Sequence, residues 1–137
     1  MKIQKKGWRG YVFSRAINGQ MIPQRVQNLV LRAYAEQKEL QYLLSATEYH
    51  MPDSFMILNS LSAALPGLEG LLFYSINMLP GTTEGRRRLY DALFSAGCGL
   101  RFALEELAVS NENDVALIED LMACRRLSAR PPVGILS

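Results

Sequence analysis

Histidine occurs once in the chain, at position 50, two residues after Glu48. Imidazole is the side chain whose ordinary pKa lies near neutrality. His50 is therefore the natural acid–base candidate, with Glu48 to orient it and Glu105 as a further carboxylate. A second set of residues has the chemistry of an oxyanion site: Ser14 and Arg15, Ser75 and Asn77, and Thr82 followed by Arg86 and Arg87. Pro80-Gly81-Thr82-Thr83 leads into a helical pattern, and free N–H groups with the positive dipole end of a helix favour negative charge. Plainer roles exist for the same residues. Thr82 or Thr83 caps the helix, His50 is an ordinary surface residue, and one of Glu105 and Glu106 neutralises an arginine. Arg86-Arg87-Arg88 cannot point one way, because consecutive helical residues are spread about 100° apart. One or two face a ligand, and the others are solvated or pair with acids. Neither G-x-x-x-x-G-K-[ST] nor G-x-G-x-x-G occurs, and no cofactor is expected.

These residues fall at the ends of predicted strands. Gly10–Ser14, Gln41–Leu44, Glu69–Tyr74 and Leu100–Leu104 are short and apolar, and the third is a continuous apolar run suited to a strand buried on both faces. Between them lie helical patterns. Ile22, Val26, Leu29, Val30, Ala33 and Tyr34 form one apolar face behind Pro23, while Gln24, Arg25, Gln27 and Arg32 take the other positions. Asp53 caps a helix running to about Leu65. A third helix passes through Leu89, Tyr90 and Leu93 and closes at Gly97. Ser110 or Asn111 caps a fourth, lined by Val115, Ile118, Leu121 and Met122, and Pro131-Pro132 stops it. Strand and helix thus alternate four times. The fold expected is α/β, a three-layer open sheet of about four parallel strands in the order 2-1-3-4, with helices on both faces. Ligands of such sheets bind beyond the carboxyl ends of the strands, which selects loops 14–19, 45–52, 75–83 and 105 onward.

At 137 residues, 49% apolar and 20% charged, the composition excludes a disordered tail and a disulfide miniprotein. It fits a single domain over 1–130 with a tail over 131–137. Lys2, Lys5, Lys6 and Arg9 form a short basic arm, but from Gly10 onward 11 basic residues face 13 acidic ones. Nucleic acid is thus an unfavoured partner, since duplex binding needs a basic face. Cys98 and Cys124, with one histidine, make neither a disulfide framework nor a zinc set. Both are read as small buried or semi-buried thiols. Trp8 is read as an anchor for the first strand. The N-terminus shows no apolar signal segment and no run reaches the ~20 residues of a membrane span. A cytoplasmic location without membrane insertion is expected.

Two resemblances follow from these motifs. Over about residues 10–126 the chain resembles the catalytic domain of serine recombinases, the resolvases and invertases. That family carries Y-x-R-x-S on its first strand, whereas this chain reads Tyr11-Val12-Phe13-Ser14-Arg15, with the serine one place early and the arginine after it. The family's D-R-x-x-R after the third strand is here Asn77-Met78-Leu79-Pro80. The resemblance implies the topology only, because those arginines stabilise the phosphoryl transition state. The stretches Gly7–Arg15, Gln24–Asn28 and Leu44–Tyr49 resemble the small bacterial "sporadic carbohydrate cluster" proteins. That likeness implies surface-polysaccharide or sugar-nucleotide biosynthesis, with a phosphorylated or nucleotide-linked sugar at the strand ends. Ser14, Arg15, Ser75, Asn77, Thr82, Arg86 and Arg87 would hold it, and His50, Glu48 and Glu105 would do acid–base work. The alternative is a catalytically inactive recombinase-like interaction module, forming a homodimer or docking on a partner enzyme.

Overall fold

The computed structural model describes residues 6–51 and 54–129. Its strands are β1 (Trp8–Phe13), β2 (Tyr42–Glu48), β3 (Gly70–Phe73), β4 (Gly99–Phe102) and β5 (Leu107–Val109). The helices are α1 (Gln24–Gln37), α2 (Met56–Ser60), α3 (Thr83–Ser95) and α4 (Glu112–Ala129). The strands form one sheet in the order β2-β1-β3-β4-β5. The first four are parallel, as the alternation of strand and helix requires, and β5 is antiparallel to β4. The expected order 2-1-3-4 is therefore present, extended by one short edge strand. Three residues are too few to show a period-2 pattern, and the turn before β5 places Glu106 at φ 55°, so this hairpin escaped the sequence reading.

The two faces of the sheet are built differently. Tyr11, Phe73 and Phe102 lie side by side across β1, β3 and β4. Their rings meet at 4.7 Å and 5.7 Å between centroids, distances at which aromatic pairs attract. Helices α2 and α3 pack on this face, with Leu58, Leu89 and Leu93 buried. On the opposite face Trp8 sits in register with Gly70 and Gly99. A Cβ at Gly70 would lie 2.4 Å from the indole ring, so these two strand positions need glycine for the indole to lie flat on the sheet. Arg101 stacks on Trp8 at 5.0 Å and donates to the Tyr34 hydroxyl of α1. Trp8 thus packs as expected.

Helix α1 is rotated from its sequence-based reading. Its buried residues are Gln27, Leu31, Tyr34 and Ala35, whereas Val26 and Leu29 are 41% and 58% exposed. The physical reason is Gln27. Its Oε1 accepts from Phe13 N and its Nε2 donates to Phe13 O and Ile22 O. The amide satisfies the backbone at the end of β1, and this bonding draws a polar residue into the core.

The region 54–68 also differs from expectation. Instead of one helix reaching Leu65, α2 spans five residues and two 3₁₀ turns follow, Leu61–Ala63 and Leu65–Gly67. Pro66 within the pattern breaks the α-helical ladder. The expected cap Asp53 lies outside the described residues, as do Lys2, Lys5 and the tail 131–137. The α4 start agrees: Asn111 Oδ1 accepts from Asp114 N. Cys98 is buried, with its thiol donating to Leu65 O and Leu68 O. Cys124 is exposed, contrary to its semi-buried reading.

Candidate functional site

The β2 end is the first side of the candidate crevice. The strand runs to Glu48, four residues beyond its expected end, so Thr47 and Glu48 belong to the sheet rather than to a loop. Glu48 is 1% exposed. Its Oε2 accepts from the Tyr11 hydroxyl at 2.8 Å and from Leu58 N at 3.0 Å. Its Oε1 accepts from Ile57 N and Tyr49 N. The carboxylate thereby satisfies the orphan N–H groups at the start of α2 and fixes that helix against the sheet. Burial and the hydrogen bond to Glu48 push the Tyr11 phenol far above its usual pKa, so it stays a neutral donor. His50 is exposed two residues further on, and none of the four bonds to Glu48 comes from it.

Arg15 and Ser14 hold the same corner together. Ser14 Oγ donates to Glu48 O. Arg15 Nη1 lies 2.9 Å from Tyr49 O, 3.0 Å from Met51 O and 2.7 Å from Ser54 O. Its guanidinium also stacks on the rings of Phe13 at 4.0 Å and Phe55 at 5.0 Å, an attraction of cation and quadrupole. Arg15 is thus a clasp that closes the segment after β2 onto the end of β1.

The second side follows β3. Ser75, wholly buried, caps the 3₁₀ turn Ile76–Met78 by accepting from Asn77 N. Its hydroxyl donates to Glu105 Oε2, and Glu105 Oε1 accepts from Ile76 N. Glu105 therefore ties the β4–β5 turn to the β3 exit. Thr82 caps α3 by accepting from Gly85 N. Arg86 is 3% exposed, forms a two-point pair with Glu119 of α4 at 2.8 Å and 2.9 Å, and donates to Pro80 O. The Tyr90 hydroxyl donates to the same carboxylate. Hydrogen bonding to Glu119 raises the Arg86 pKa further. Arg87 pairs with Asp91 and Glu112 at the surface.

The candidate residues thus divide into two self-contained clusters, one around Glu48 and one around Glu105, with Arg86 and Arg87 linking α3 to α4. His50 joins neither cluster. Sequence reasoning missed Gln27, Tyr90 and Glu119, all of which complete polar contacts at long range. It also passed over Arg88. This residue shares a helix side with Gly85 and Ala92, at i−3 and i+4, and all three line a cleft of about 750 Å³ between α2 and α3. Helical phase was the available signal: Arg86 falls with Tyr90 and Leu93 on the core side, and Arg88 does not.

No protein-family model matches the sequence and no curated protein matches it. Among solved structures, the chain is similar to the N-terminal catalytic domain of TP901-1 integrase. That match has a TM-score of 0.61 and 15% identity, covering 88% of this chain and 95% of that one. It is also similar to a resolvase family site-specific recombinase from Streptococcus pneumoniae, with a TM-score of 0.64 and 10% identity, covering 88% and 89%. The likeness to the sporadic carbohydrate cluster proteins finds no support in these comparisons. The β2-β1-β3-β4-β5 sheet with its flanking helices is the fold of recombinase catalytic domains.

Proposed function

We propose that this chain is a non-catalytic recombinase-like module that acts by binding another macromolecule, a second copy of itself in the first instance. One observation carries the reading. Apart from the exposed His50, the charged groups at the strand ends that would do chemistry are bonded to the protein's own backbone and side chains: Glu48 to four donors, Glu105 to Ser75 and Ile76, Arg86 to Glu119. A general base or an oxyanion clamp needs lone pairs or N–H groups left for the substrate. The place of the recombinase arginines after β3 is taken by a 3₁₀ turn without a cation. Self-association is supported by α1, where Val26 and Leu29 sit one turn apart on the exposed flank with Met21 beside the helix start, 66% exposed. Apolar surface grouped in this way marks contact sites more often than scattered single residues do.

The alternative is action on a phosphorylated or nucleotide-linked sugar in surface-carbohydrate biosynthesis. It would require His50 to work without Glu48, and it rests on sequence resemblance alone.

Light scattering across a concentration series tests the proposal. The expected result is a dimer that Leu29→Lys converts to monomer, while His50→Ala leaves it intact. A monomer at every concentration would overturn it. So would a saturable thermal stabilisation by a nucleotide sugar that His50→Ala or Arg15→Ala abolishes, since a ligand of the native state raises the melting temperature with ln(1 + [L]/Kd).

A further inference from the structure

The cleft between α2 and α3 borders the Glu48 corner through Phe55 and Leu58 and is built unlike it. Leu58, Leu61, Leu65, Leu71 and Leu89 give it an apolar floor, with Phe55 at one end. Its rim is polar: Asn59 and Ser62 on the α2 side, Thr82 and Arg88 on the α3 side. The lining holds one cation and no carboxylate. Arg88 is exposed and, unlike its neighbours Arg86 and Arg87, pairs with no acid among the described residues. At about 750 Å³ the space lies within the range of about 300–1,000 Å³ typical of small-molecule sites. Gly81 leaves open space beside its backbone at the rim.

We infer that this cleft is a binding site for a small amphipathic anion, an aliphatic or aromatic body ending in a carboxylate or a phosphate. The apolar body leaves water by packing on the leucine floor, of which Leu58, Leu65, Leu71 and Leu89 are already buried, and that transfer supplies the affinity. The anionic head meets Arg88 at the rim, where a planar guanidinium recognises carboxylate and phosphate oxygens alike. The first turn of α3 adds its positive dipole end on the same side. Charge complementarity sets the head-group sign, because no acidic side chain on the lining opposes it. The inference is independent of the dimer, since no residue of α1 lines the cleft, and it calls on none of the charged groups of the strand-end clusters.

The test is titration of the full chain with octanoate, octyl phosphate, octanol and inorganic phosphate, followed by backbone amide NMR. Octanoate or octyl phosphate is expected to bind saturably, moving the amides of Leu61, Arg88 and Leu89, and the two arms show which head group is preferred. Octanol and inorganic phosphate are each expected to bind at least about tenfold more weakly, because each lacks one half of the recognition. Arg88→Gln should weaken the preferred anion about tenfold, and Ala92→Phe should block the cleft. Ser62→Trp, at the exposed rim, serves as the filling variant if Ala92→Phe fails to fold. Saturable binding absent for both anions, or binding that neither Arg88→Gln nor a filling variant weakens, would overturn the proposal.

Discussion

The corner around Glu48 and the cleft beside Arg88 stand at opposite extremes of polar satisfaction. At the corner, one carboxylate receives four hydrogen bonds and one guanidinium reaches three carbonyls and two aromatic rings. In the cleft, a guanidinium of the same chemistry stands at the edge of a largely buried leucine floor and forms no ion pair among the described residues. The corner carries Glu48, Ser14 and Arg15, three of the residues that look catalytic or anion-binding by type and spacing, and there they serve closure of the fold. The difference teaches that residue type near a strand end is a weaker guide to chemistry than whether the polar atoms are already occupied. A buried charge stays in a fold only when its lone pairs or protons are met, so a fully met one has little left for a ligand.

The comparison breaks most visibly at Glu48. Glu48→Ala leaves the Tyr11 hydroxyl and the Ile57 and Leu58 N–H groups without their acceptor and should cost about 3 kcal/mol or more. A lowered denaturation midpoint checks it, and Glu48→Gln, which keeps the volume, should lose less. Arg86→Met is next. It strands Glu119 beside Tyr90 and should cost about 1–3 kcal/mol, read the same way. Thr82→Ala removes the α3 cap and should cost about 1 kcal/mol, which circular dichroism thermal melts would detect. The exposed Arg87–Glu112 pair sits at the small end. Hydrogen bonding from Arg87 holds the Glu112 carboxyl below its ordinary value of 4.5. A depressed folded-state pKa means that the contribution is present above the unfolded value and fades as pH falls through the folded one. The stability difference between wild type and Arg87→Ala should therefore be slight at pH 7, vanish in acid below that range, and shrink with added salt.

Much of the fold was legible because strand burial leaves a local record. The predicted strand Glu69–Tyr74 carries an apolar run after its first residue, and Gly70–Phe73 of it became β3, flanked by neighbours on both edges. The alternation of such runs with helical patterns carried the parallel order. Helix α1 was located but its core side was not, since Val26 and Leu29 are apolar and Gln27 is not. Only the distant end of β1 explains why Gln27 is inside. The site was less legible for the same reason. Glu48 and His50 are close in sequence, yet three of the four partners of Glu48 lie at positions 11, 57 and 58, and the fourth is the Tyr49 backbone. Nothing in the spacing of one chain segment reveals donors that arrive from elsewhere in the fold.

The most direct test sets two arginines against each other in equilibrium denaturation, Arg15→Ala against Arg88→Ala. If Arg15 clasps the segment after β2 and Arg88 is held for a ligand, Arg15→Ala lowers stability by about 1–2 kcal/mol and Arg88→Ala leaves it unchanged. An Arg15→Ala protein as stable as wild type would contradict this division, because a guanidinium that contributes nothing to the fold would be available at the strand ends for a substrate.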